Sequence, residues 1–295
     1  MSNAPVRLKF IKPAEPLLVQ VAPASDDWIH EIKYDGFRTQ VILDWAGARA
    51  FTKNGIDWSK RYWPVIEAAE KLPAKAFILD GEMIAPEPDG RPNFHAMHSR
   101  MAWNAEQLAF VAFDIIHLNG EDLRSKAAIE RKAILWNLVK PASDIIQYSE
   151  HVEGGGAAFF EAVEKMGLEG IVSKRRNSPY HSGGSEAWVK TKCWEIGDFE
   201  LLGVRQKVGE APAGIMARNG RYAGTATLTL PKGVRERLWE RVQAGKTKRP
   251  FNPVPTAVDE PGVQWVKPGL TGRVRYLRGE AKLRHATLQG FSEEE

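Results

Sequence analysis

Lys33 sits in the run EIKYDGFR at 31–38, after an apolar, strand-like approach and just ahead of an Asp35-Gly36 turn. A lysine amine attacks phosphorus only when uncharged. Because free lysine titrates near about 10.4, that chemistry needs neighbours that favour the neutral form. Lys190 and Lys192, in WVKTK at 188–192, can supply them. Two apart on a strand, they share one face, where together with a bound cation they would favour the neutral amine and neutralise phosphate charge. Two carboxylates stand out as well: Glu82 ends the apolar run FILDGE, and Glu169 precedes GIVSK. Each sits at an expected strand boundary, where a cleft could use it.

Taken singly, these pieces have plainer readings. An Asp-Gly pair after an aromatic stretch is a hairpin signal, a lysine there is usually solvated, two strand lysines make an ordinary basic face, and Phe113 in FVAFDII is core. The ordered set argues against those readings. EIKYDGFR is followed by TKNG at 52–55, LDGE at 79–82, AFDIIHLNG at 112–120, EGIVSK at 169–174 and WVKTK at 188–192.

In that order the runs resemble the motifs of the covalent nucleotidyltransferases, which comprise ATP-dependent DNA ligases, RNA ligases and mRNA capping enzymes. WVKP at 265–268 and LRH at 283–285 bring the resemblance nearest to the ligase domain of bacterial end-joining DNA ligases, over nearly the whole chain. It implies an α+β protein: a nucleotidyltransferase core of antiparallel sheets with helices over 1–194, then an OB-fold β-barrel over 195–295. It also implies roles for single residues. Lys33 would take AMP from ATP, Glu31 would recognise the adenine amino edge, Arg38 the ribose, and Phe113 would stack on adenine. Glu82 would face the ribose and metal, Glu169 would help hold Mg2+ or Mn2+, Lys174 would face phosphate, and Lys53 would lie near nucleotide or DNA.

The implied reaction seals nicks in duplex DNA. AMP passes from Lys33 to a 5′-phosphate and is then displaced by the 3′-hydroxyl, with positioning and charge neutralisation dominating each step. An RNA ligase, a capping guanylyltransferase and a non-catalytic nick-binding module remain alternatives. Two positions depart from the family pattern. Ligases commonly carry an Arg-x-Asp-Lys-like motif near the C-terminus, where this chain reads GFSEEE, so either Arg284 or another base such as Lys282 compensates, or the chain is slow at self-adenylylation and better at sealing once adenylylated. Gly184, in HSGGSEAW, stands where relatives often place an arginine.

These residues have to be positioned by strands such as AFILDGEMIAP at 76–86 and LAFVAFDII at 108–116, alternating with helices such as AAIERKAILWNLV at 127–139. After Cys193 the pattern changes to glycine-joined strands, ELLGVRQKVG at 200–209 and GRYAGTATLTL at 220–230, and one helix, GVRERLWERVQAG. The proline- and charge-rich stretch 246–262 reads as a surface loop.

At 295 residues with 43% hydrophobic content, the chain can pack two cores. Its net charge of +4 suits local basic patches on a protein that meets polyanions, without itself naming nucleic acid. The single cysteine, Cys193, rules out an internal disulfide and fits a reducing compartment. No apolar run approaches the roughly 20 residues that cross a bilayer, so a soluble, cytoplasmic monomer is expected. Nicked duplex DNA is the implied partner, and the sequence leaves open whether the chain works alone or with Ku or another repair protein. His95 and His98 read as one helical face rather than a zinc site, and Gly154–Gly156 as a flexible connection, since a P-loop's lysine and hydroxyl are absent.

Overall fold

Ile42, Ile78 and Ile116 belong to one apolar cluster, whereas Val41, Leu43, Phe77, Leu79 and Ile115 belong to another. Alternate residues of a strand point to opposite faces, so this division means a sheet buried on both sides. It also accounts for the near-continuous apolar runs of those strands.

The structure, a computed structural model, describes residues 7–140, 145–207, 209–250, 252–256, 258–259, 261–278, 282–283 and 285–293. The chain divides into two units, Met1–Lys192 and Cys193–Glu295. It is a mixed α+β protein in which sheet predominates.

Among the described residues, the first unit holds two sheets. One is six-stranded and runs Gly47–Thr52, Phe37–Asp44, Phe77–Ile84, Ala109–Leu118, Glu121–Asp122, with Ile146–Tyr148 pairing in parallel on Ala109–Leu118. Its outer face packs on helices Trp63–Glu70, Phe94–Trp103 and Ala128–Val139 through Val65, Met97 and Leu135. The other sheet is five-stranded and runs Ala14–Leu18, Gly183–Lys192, Gly170–Arg175, Trp28–Ile32, His151–Glu153. It is backed by helix Gly156–Lys165, through Val163 against Ile171. Between the two sheets lie Ile42, Ile78, Ile116, Tyr180 and Trp188.

The link between the sheets excludes the plainer hairpin reading and corrects one local expectation. Asp35-Gly36 is not a hairpin turn, because Trp28–Ile32 and Phe37–Asp44 belong to different sheets and residues 33–36 carry the chain from one to the other. Gly36 is required by close approach: a Cβ there would lie 2.1 Å from the Met83 carbonyl oxygen. Glu82, expected at a strand end, is interior to Phe77–Ile84.

In the second unit, Trp194–Arg205 pairs with both Leu270–Leu277 and Ala213–Arg218. Ala213–Arg218 continues to Arg221–Leu228, then in parallel to Thr287–Glu293, which pairs back onto Leu270–Leu277. These strands therefore close on themselves around Met216, Val274 and Leu288, with helix Lys232–Ala244 contributing Leu238 and Val242. The first of them begins at Trp194, six residues before the expected segment. The described residues of 246–262 are largely loop, apart from Lys246–Thr247 pairing with Val263–Val266. Arg284 lies outside the described residues.

Candidate active site

Strand register brings the chemistry-bearing side chains together. Glu31 lies opposite Val172 and Val172 opposite Lys190, while Lys174 lies opposite Trp188. Residues directly opposite share a face, so Glu31, Lys174, Trp188 and Lys190 project to one side of the five-stranded sheet, and Lys33 follows just beyond its strand. From the six-stranded sheet come Arg38, opposite Glu82, and Phe113. A single pocket is lined by Glu31, Lys33, Arg38, Lys53, Glu82, Phe113, Lys174 and Lys190, together with Glu15, Tyr34 and Trp188. Eight of the ten expected site residues are thus gathered in one place. The other two, Lys192 and Glu169, do not line it.

One end of the pocket is buried. Lys174 Nζ donates to Glu31 Oε1 and to the Phe113 carbonyl, each at 2.8 Å. Lys132 Nζ lies 3.2 Å from the same Glu31 oxygen, and Ser149 Oγ donates to Oε2 at 3.1 Å. Lys174 also stands 4.3 Å from the Trp188 ring centroid and 4.8 Å from that of Phe113. Lys174, expected to face phosphate, thus has two of its three N–H groups on Glu31 and the Phe113 carbonyl and stands against the aromatic wall. Burial pushes the Lys132 ammonium down to about 8, with Lys174 adding to the fall and Glu31 opposing it.

Arg38 forms the side wall. Its guanidinium takes Asp80 in a two-bond fork at 2.7 Å each and lies 4.4 Å from the Phe113 ring centroid. Tyr180 donates to the same Asp80 carboxylate. Asp80 holds the guanidinium charged despite its burial, raising it above the usual arginine value.

The other end is open and cationic. Lys33 donates to Glu169 Oε2, and its backbone N–H donates to the Gly170 carbonyl at 2.9 Å, which fixes the lysine beside that carboxylate. Glu169 Oε1 lies 3.3 Å from Lys192 Nζ, so Lys192 reaches the site through Glu169 rather than through the pocket wall. Burial lowers the Lys190 ammonium, and Lys192, Lys33 and Lys53 lower it further. At the rim Lys53 lies 3.4 Å from Glu15, with both side chains about half exposed. Burial pushes the Glu82 carboxyl up to about 8, Glu169 and Asp35 adding to the rise against the pull of Lys33 and Arg38. His98 packs edge-on against Phe37, with ring centroids 5.5 Å apart.

Sequence reading missed Trp188, Asp80, Tyr180, Ser149 and Lys132. Trp188 had a signal, since it shares the alternation of Lys190 and Lys192. Lys132, on helix Ala128–Val139, had none, because a helical lysine reads as solvated.

The unit that carries this pocket matches, over residues 15–192, the family model described as ATP dependent DNA ligase domain. The chain belongs to that family. It is 31% identical over 97% of its length to the multifunctional non-homologous end joining protein LigD of Pseudomonas aeruginosa, and 30% identical over 90% to that of Mycobacterium bovis. The chain spans 36% of the length of each of these curated relatives. Among solved structures it resembles a mycobacterial DNA ligase D complexed with ATP and MES, with 27% identity, TM-score 0.59, and 96% and 95% of the two chains covered. The ligase domain of M. tuberculosis LigD gives 27% identity and TM-score 0.58, with 95% and 94% covered. The ligase fold therefore extends over both units. Among the described residues, no helix is long and apolar enough to cross a membrane.

Proposed function

We propose that this chain is an ATP-dependent DNA ligase that seals nicks through AMP carried on Lys33. The observation carrying this reading is a lysine bonded to a carboxylate at the open end of a pocket. The opposite end of that pocket offers Lys174, Glu31 and the Phe113 ring to a flat heterocycle. An adenine edge suits the buried end, because it presents an acceptor to Lys174 and an amino group that the acidic and carbonyl oxygens there can accept. Lys53 and Lys190 suit the phosphates.

In the first step, the Lys33 Nζ–phosphorus bond forms at the α-phosphate as the bond to the bridging oxygen breaks and pyrophosphate leaves with the electron pair. Glu169 is the acceptor within reach of the proton Lys33 must lose. In the second step, a 5′-phosphate oxygen displaces Lys33 from the AMP phosphorus. In the third, the 3′-hydroxyl attacks that 5′-phosphate and AMP departs.

Glu82 and Glu169 are suited to a divalent cation, Mg2+ or Mn2+. A bound cation would relieve the burial and like-charge repulsion that keep Glu82 protonated up to about 8. Among the described residues there is no group of three or more histidine, cysteine or acidic side chains that could hold a metal, so phosphate oxygens and water would complete its shell. Such an ion supplies charge neutralisation at the phosphates.

The second unit is read as an OB-fold barrel. Support comes from its closed strand order, the parallel pairing of its third and last barrel strands, and the helix between its third and fourth. It carries Arg218 with its guanidinium 5.2 Å from the Phe199 ring centroid, and Lys282 5.9 Å from that of Tyr222. Those cations fit a DNA backbone.

The test is the intact mass of the purified chain after ATP with Mg2+ or Mn2+. One added adenylyl group, absent in Lys33→Ala and lost on adding nicked duplex DNA, is the expected result. Labelling by GTP instead of ATP, or no adduct on protein free of bound AMP, would overturn it.

A further inference from the structure

Glu31 has more partners than its own charge requires. One buried lysine, Lys174, already neutralises it, yet a second fully buried ammonium, Lys132, lies 3.2 Å from the same oxygen. Burying an extra ammonium is costly, so its presence against that carboxylate calls for a reason. Lys132 is itself held, donating to the Ser149 carbonyl and lying 4.0 Å from the Tyr148 ring centroid. Ser149 also donates its hydroxyl to the other Glu31 oxygen. Neither Lys132 nor Ser149 lines the pocket, so neither can touch a ligand there.

Their effect falls on Lys174. With both Glu31 oxygens fixed from behind, Lys174 spends two of its three N–H groups at defined places, on Glu31 Oε1 and the Phe113 carbonyl. The third is left for the pocket that Lys174 lines. A donor in that position distinguishes purines: adenine offers an unprotonated ring nitrogen on its six-membered ring, whereas guanine carries N–H there.

We propose that Lys132 and Ser149 are positioning residues for base selection: by pinning Glu31 they aim the free N–H of Lys174 at the ring nitrogen of adenine. This rests on the reading of the pocket as an ATP site.

The experiment follows Lys33 labelling by intact mass against nucleotide concentration. It uses ATP and 1-deaza-ATP, in which that ring nitrogen is replaced by C–H, on the wild type, Lys132→Met and Ser149→Ala. Half-saturating ATP should rise about tenfold in Lys132→Met, the worth of one hydrogen bond to a charged donor, and about threefold in Ser149→Ala, with maximal rates little changed. For 1-deaza-ATP, whose contact is already missing, the variants and the wild type should agree to within about twofold.

Equal losses with both nucleotides, or no loss with ATP, would overturn the inference. If Lys132→Met does not fold, Ser149→Ala decides by the same comparison. A wild type that labels with ATP beside variants that match it removes this inference alone, whereas a wild type that never labels removes the ligase reading and this inference with it.

Discussion

The two ends of the pocket use the same side-chain types in opposite ways. At the buried end Glu31, Lys174, Lys132 and Ser149 satisfy one another, and the side chains of Glu31, Lys132 and Lys174 are between 1% and 3% exposed. At the open end Lys33, Lys192, Lys190 and Lys53 outnumber Glu169 and Glu15, and side-chain exposure climbs to 53% at Lys53. Only one residue, Ile32, separates Glu31 from Lys33 on the chain. A closed charge cluster holds its geometry before any ligand arrives, while an excess of cations leaves an anion to complete the balance.

The largest expected effect lies at the open end. Lys33→Arg should keep the charge opposite Glu169, and with it the fold, yet give no adenylyl adduct by intact mass, since a guanidinium does not lose its proton. An adduct surviving in that variant would move the nucleophile to another lysine.

Next comes stability at the buried end. Glu31→Ala leaves two buried ammonium groups without a counter-ion and should cost about 3–5 kcal/mol in urea unfolding. By contrast Lys53→Ala, at an exposed pair, should change stability by less than about 1 kcal/mol. Similar values for the two would dissolve the distinction between the ends.

Lys190→Ala should lower the maximal rate of adenylylation by about a hundredfold, as for loss of one pre-positioned charge at a phosphate, while unfolding shifts little. A change in half-saturating ATP alone would assign Lys190 to ground-state binding.

The smallest effect is in pH dependence. Burial holds the Lys132 ammonium down at about 8 in the fold, against about 10.4 for a free lysine, so between these values the unfolded chain binds more protons than the folded one. Stability relative to Lys132→Met should therefore rise as pH increases from about 8 to about 10.4 and be level below about 8. Parallel unfolding curves for the two proteins across that window would mean that Lys132 keeps an ordinary titration in the fold.

Legibility followed locality. Lys33, Glu82 and Glu169 could be singled out because their short runs recur in a fixed order, and Lys190 with Lys192 because alternation puts them on one face. What could not be read was pairing across the chain. Lys174 meets Glu31 only because Gly170–Arg175 lies beside Trp28–Ile32, and Lys132 meets Glu31 only because helix Ala128–Val139 packs over Ile146–Tyr148.

The chain's own residues determined the apolar alternation, the residue types for chemistry on phosphorus, and membership of a ligase family. Tertiary structure decided which charges are closed off and which are left open. It sent Lys192 to Glu169 instead of the pocket wall, set Lys174 against Glu31, and made Gly36 a close contact against Met83. The physical reason is that side-chain charge is written in each residue, whereas burial and partner are set by strands and helices far apart in sequence.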